Sequence, residues 1–170
     1  MKMTWLIMPL SMMLSAVTCC FTTGKIRREQ MRVLTLLNCP DNAPPLRALR
    51  RNEYDLFMAG SFAEALDYLN KMPFDLVLCQ DNFANYEMAI AEALRLIRTN
   101  KCQTDVPVIC CHMDNDPIDE RYQKRVSDLL LQYGGQGYLD NRACTPRHFA
   151  NSIANCMRRA VGGICITKAV

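Results

Sequence analysis

The chain is poor in the short motifs that usually announce a chemistry. It contains no G-x-G-x-x-G and no P-loop, so it shows no sequence signature of a loop that cradles a nucleotide phosphate. Gly134, Gly135 and Gly137 precede a strand-like segment instead of opening a helix, which is the wrong geometry for that task. A nucleotide- or flavin-dependent enzyme therefore has no support beyond fold type. None of the 10 cysteines forms a C-x-x-C pair, which removes the usual zinc and disulfide frameworks. Cys79, Cys110 and Cys111 sit inside apolar runs and read as small core hydrophobes. That usage suits a reducing cytosol, so a cytoplasmic location is expected. The net charge of +3 is too small for a dedicated nucleic-acid surface. Arg47, Arg50 and Arg51 read as a solvated helix face, and no nucleic-acid partner is expected. There is no internal repeat and no low-complexity run.

What the sequence does have is a hydrophobic half, enough for one core in a chain of 170 residues. Residues 1–30 are set apart from it as a hydrophobic N-terminal extension. Residues 3–23 are mostly apolar, with Lys2 before them and Lys25, Arg27 and Arg28 after. Three readings stand. Small residues at Ser15 to Cys19 suit a signal-peptide cleavage point. The length is near the ~20 residues of a membrane anchor, and the following charges would keep the domain cytoplasmic. The favoured reading is upstream sequence preceding a true start at Met31, where the first strand begins.

From residue 31 to 160 apolar runs alternate with helical patterns. The segment 74–81, FDLVLCQD, is the centre: four apolar residues close in Gln80 and Asp81, as in a strand buried on both faces. Strands are also expected at 32–37, 55–60, 106–111 and 137–140. Helices are expected from Pro44, where two prolines suit the first turn, from Ser61 through a capping box with Glu64, and over 84–99. Two more are expected from Asp116-Pro117 and Thr145-Pro146, each a cap followed by proline. Phe62, Ala65, Leu66 and Leu69 share one helical spacing. Gly134-Gly135 stop the fourth helix. The last ten residues form a tail without a usable pattern. Five alternating units predict an α/β, flavodoxin-like, doubly wound parallel sheet of order 2-1-3-4-5 with helices on both faces. Function is then sought beyond the carboxyl ends of the strands, where Gln80 and Asp81 lie.

The stretches MRVLTLL, FDLVLC, VPVICC, GGQGYL and TPRHFANSIANCMRR together resemble the receiver domain of two-component response regulators, over roughly residues 31–160. The resemblance implies a site made of an acidic, magnesium-binding pair after the first strand and a phosphoacceptor aspartate ending the third. A Thr or Ser after the fourth and a Lys after the fifth complete it. Gap-free alignment sets Asn38 and Cys39 at the acidic pair, Gln80 at the phosphoacceptor, His112 at the hydroxyl position and Asn141 at the lysine. All depart from the pattern. A glutamine amide is not the carboxylate nucleophile that aspartyl phosphorylation needs. Magnesium wants hard anionic oxygens, which Asn and Cys do not supply.

The expectation is therefore a stand-alone pseudo-receiver, not an enzyme, with no cofactor, signalling through contacts with a histidine kinase, a regulator or a second copy of itself. The alternative is a phosphorylatable receiver in which a one-residue slip puts Asp81 in place of Gln80, with magnesium held by help from Asp41 or Asp114. The resemblance also puts Tyr138 at the family's aromatic switch position, beside its reading as a core tyrosine. Arg121, Lys124, Arg125 and Arg142 would rim a docking face of the fourth helix, fifth strand and fifth helix. A Cys39–His112 pair is a further candidate, as a reactive thiol or part of a metal site. His148 reads as an exposed residue opening the last helix.

Overall fold

The computed structural model describes residues 30–85, 88–100, 103–114, 118–140, 145–159 and 165–167. The strands are β1 (Met31–Leu36), β2 (Tyr54–Met58), β3 (Leu76–Gln80), β4 (Val108–His112), β5 (Gly137–Asp140) and β6 (Cys165–Thr167). The helices are α1 (Pro44–Arg51), α2 (Phe62–Lys71), α3 (Ala89–Thr99), α4 (Glu120–Gln132) and α5 (Pro146–Arg159). All strand pairs are parallel, and the sheet order is β2-β1-β3-β4-β5-β6. The expected 2-1-3-4-5 order is present, and β6 extends it by one strand along the β5 edge. Three residues in a segment without periodicity carry no strand signal of their own; pairing with Gly137–Leu139 makes them a strand.

Every residue of β3, β4 and β5 is buried, as a sheet covered on both faces requires. Alternation along the strands divides the core in two. Val77, Cys79, Val108, Cys110 and Tyr138 pack under α2, α3 and α4. Leu76, Leu78, Ile109, Cys111 and Leu139 pack under α1 and α5.

Helix α2 starts at the expected cap: Ser61 Oγ accepts from Glu64 N at 3.2 Å, while Glu64 Oε2 accepts from Gly60 N at 2.8 Å. Leu66 on this helix is 40% exposed, so the inward stripe is narrower than the spacing suggests. Helix α3 begins at Ala89, not at 84. Ala84 and Met88 adopt left-handed backbone, with φ 55° and 57°, which a right-handed helix cannot absorb. A 3₁₀ turn, Phe83–Asn85, lies before it. Helix α4 is capped by Asp119, whose carboxylate accepts from Arg121 N at 3.2 Å. The expected cap, Asp116, lies outside the described residues. At its other end Gly134 takes φ 69° and Gly135 N donates to Leu130 O at 2.7 Å, the glycine C-cap arrangement. A Cβ on Gly135 would fall 2.3 Å from Leu130 Cδ2.

The ends of α3 and α4 are tied together by Arg98. Its guanidinium donates to Thr104 O, Val106 O, Tyr133 O and Gly134 O at 2.6–2.9 Å. Among the described residues no helix is long and apolar enough to cross a membrane.

Candidate functional site

The register fixes what stands at the carboxyl end of the sheet. Leu36 faces Cys79, Gln80 faces Cys111, and His112 faces Asp140. The ladder runs without a slip, so Gln80 is the last residue of β3 and Asp81 lies one step beyond it. Successive residues of a strand point to opposite faces. Gln80 and Asp81 accordingly enter two different environments.

Gln80 is 1% exposed and belongs to a closed ring of amides. Its Oε1 accepts from Asn38 N at 2.9 Å. Its Nε2 donates to Asn82 Oδ1 at 2.8 Å and to Asp114 Oδ1 at 3.3 Å. Asn82 Nδ2 donates to the second oxygen of Asp114. Asn38 Nδ2 donates to Asn82 O at 3.0 Å, and Asn38 Oδ1 accepts from Ala84 N at 2.9 Å. One carboxylate serves the whole ring, and both of its oxygens already receive N–H donors. A divalent cation needs converging anionic oxygens. Here two amide N–H groups converge on the carboxylate instead, so the described residues of the site do not fit magnesium. Asp41, the other proposed helper, is ion-paired with Arg50 on the loop before α1.

Asp81 is also 1% exposed, and its surroundings contrast with the ring. Oδ2 meets His112 Nδ1 at 2.7 Å. Strand parity puts both side chains on the α2–α3–α4 side, together with Cys79, Cys110 and Tyr138. Among the described residues, two buried side-chain atoms have no hydrogen-bond partner: Asp81 Oδ1 and Tyr138 Oη. Burial pushes the Asp81 carboxyl above its ordinary range and Asp114 adds to that, against the bond and charge of His112. Burial, and next the Asp81 charge, push the Tyr138 phenol upward too. Tyr138 is fully buried, as the core reading expects; its ring is on the inner side of the proposed docking face.

Cys39 is only half-buried and packs against the α1–α5 core. Burial and the Asp41 charge raise its thiol pKa, which disfavours a reactive thiolate. His112 belongs to the opposite face and spends Nδ1 on Asp81, so the Cys39–His112 pair is not formed. Arg121, Lys124 and Arg125 are exposed on α4, with the Arg125 guanidinium 5.7 Å from the centre of the Tyr122 ring. Asn141 and Arg142 lie outside the described residues. His148 is exposed, and its N–H donates to Thr145 Oγ1 at 3.2 Å.

Sequence reasoning brought Asn38 and Gln80 together correctly but missed Asn82 as a member of the ring, and saw Asp114 only as a cation helper. The available signal was parity for Asn82 alone, which stands two residues beyond Gln80; Asp114 has the parity of His112, so no such signal placed it in the ring. It also missed that Asp81 and His112 bond each other.

The fold has many solved counterparts. A chemotaxis response regulator of Vibrio cholerae superposes with a TM-score of 0.57 at 17% identity, covering 75% of this chain and 98% of that one. The receiver domain of a sensor histidine kinase of Pseudomonas aeruginosa, solved with magnesium coordinated in its active-site cleft, gives 0.57 at 16% identity, covering 78% and 98%. An orphan response regulator of H. pylori gives 0.57 at 14% identity, covering 77% and 99%. No family model matches the chain, and no curated protein matches it. At these identities the likeness concerns the fold alone: this chain has the receiver-domain fold, with an amide ring where the sheet ends.

Proposed function

We propose that the chain is a receiver-like signalling module of a two-component or phosphorelay system that works by protein–protein contact and carries no phosphoryl chemistry. The observation that supports this best is the ring of Asn38, Gln80, Asn82 and Asp114, which satisfies its own polar groups. Phosphoryl transfer needs a nucleophile and cationic stabilisation of the transferring group. The strand end offers a glutamine amide, and Asp81 is turned away from it, buried against His112. On this reading the protein is not an enzyme and takes no magnesium. Its partners are a kinase, a regulator or another copy of itself. Its docking face is α4–β5–α5, with Arg121, Lys124 and Arg125 along α4.

Incubation with acetyl phosphate and magnesium tests the reading. No incorporation of label is expected, by mass or by radiolabel. Labelling that disappears in Asp81→Asn would establish the displaced-acceptor alternative instead.

A further inference from the structure

The net charge of +3 conceals a segregation of charge between the two helix layers. Helix α1 reads PPLRALRR and α5 reads PRHFANSIANCMRR. Neither contains Asp or Glu. On the other face, α2, α3 and α4 mix both signs: Glu64, Asp67, Glu92, Glu120 and Asp128 alternate with Lys71, Arg95, Arg121, Lys124 and Arg125.

The arginines of the first layer point outward because the apolar stripes face in. Leu46, Ala48 and Leu49 of α1 and Phe149, Ile153 and Cys156 of α5 form one core cluster. That leaves Arg47 and Arg51 exposed on α1, and Arg147, Asn151, Asn155 and Arg158 exposed along α5. Arg50 is the exception, being paired with Asp41.

The position of this face relative to the chain entry matters. Met31 is the register partner of Tyr54, and the Arg158 charge lowers the Tyr54 phenol pKa against the effect of burial. The C-terminal ends of both arginine helices thus reach the rim where the chain enters the domain. Immediately before that rim the sequence carries the apolar run 3–23 followed by Lys25, Arg27 and Arg28. Glu53 and Asp55 lie on the same rim, so contact belongs to the helix faces and not to the strand ends.

We propose that the α1–α5 face docks on an anionic phospholipid surface. Arginine is well suited to phosphate through its planar fork of donors. A basic face on a chain whose preceding sequence is a basic-flanked apolar run has the two signals that stable membrane association requires. This docking is independent of the pocket chemistry and would stand or fall separately from it.

The test is co-sedimentation of the full chain with vesicles of phosphatidylcholine alone and of phosphatidylcholine mixed with phosphatidylserine. Binding is expected to favour the anionic vesicles and to weaken with salt. Each basic side chain near such a surface contributes about 1 kcal/mol, so Arg47→Gln/Arg51→Gln/Arg158→Gln should weaken binding roughly 100-fold. The double variant Arg47→Gln/Arg51→Gln, which leaves the Arg158 contacts intact, should lose roughly 30-fold. Arg121→Gln/Lys124→Gln/Arg125→Gln removes the same charge from the other layer and should leave binding nearly unchanged. Equal binding to both vesicle types, or equal loss in the two triple variants, would overturn the proposal. So would tighter binding to a duplex oligonucleotide than to anionic vesicles, in favour of a nucleic-acid surface.

Discussion

Gln80 and Asp81 are neighbours in sequence, equally buried, and differently provided for. Around Gln80 the side-chain oxygen, the side-chain nitrogen and both oxygens of Asp114 have partners. Around Asp81 one oxygen is bonded to His112 while the other, and the nearby Tyr138 hydroxyl, are orphaned among the described residues. A satisfied buried network rigidifies its surroundings, whereas an unsatisfied buried group costs its desolvation. The first region is therefore a self-satisfied amide network at the sheet's end, built on buried Gln80 with half-buried Asn82 and Asp114 and exposed Asn38. The second is an incompletely satisfied polar pocket on the α2–α3–α4 side. The difference comes from the pleat: one residue of advance along β3 moves a side chain from one face to the other.

The comparison is broken most severely by His112→Ala. It removes the partner of a buried carboxylate and should cost about 3–5 kcal/mol at neutral pH, read from urea unfolding. The loss should shrink on acidification. Because burial raises the folded-state pKa of Asp81, the native state holds its proton more tightly than the unfolded chain. Its contribution then favours folding increasingly as pH falls from the raised folded value toward the ordinary carboxyl range, and opposes folding above it. A loss independent of pH would contradict this account of the pair.

Gln80→Leu should cost about 1–3 kcal/mol, because it strands Asn38 N, Asn82 and Asp114 without their shared partner. Gln80→Asp sharpens the point. It sets a second carboxylate beside Asp114, so magnesium should raise the melting temperature of this variant and leave that of the wild type unchanged. Tyr138→Phe should have the opposite sign. Deleting an orphaned buried hydroxyl stabilises by up to about 1 kcal/mol, and a loss of stability would show that the hydroxyl has a partner. The smallest effect is expected at Met88, the residue that precedes α3. Met88→Gly relieves a left-handed backbone, offset by glycine's chain entropy. A stability change of within about 1 kcal/mol should be seen in thermal melts.

Much of the frame was legible because it is written in local pattern. The strand segments at 32–37, 74–81 and 106–111 and the Ser61–Glu64 cap declare themselves within a few residues. The misses have specific causes. Helix α3 starts late because two non-glycine residues take left-handed backbone, which composition does not announce. Helix α4 starts at Glu120 after its Asp119 cap, and the expected cap three residues earlier, Asp116, lies outside the described residues. Strand β6 exists through its partner. Within the site, the place of Gln80 at the end of the third strand was readable from position alone. The bond from Gln80 to Asn82 follows strand parity, but the bond to Asp114 depends on the path of the loop after β4, which no motif encodes.

The account rests on the amide ring excluding metal and phosphoryl mimic alike. Titration of labelled protein with magnesium and beryllofluoride, followed by backbone amide NMR, examines that directly. The amides of Asn38, Gln80, Asn82 and Tyr138 are expected to stay unshifted throughout. Saturable shifts converging on β3 and β5 would contradict it.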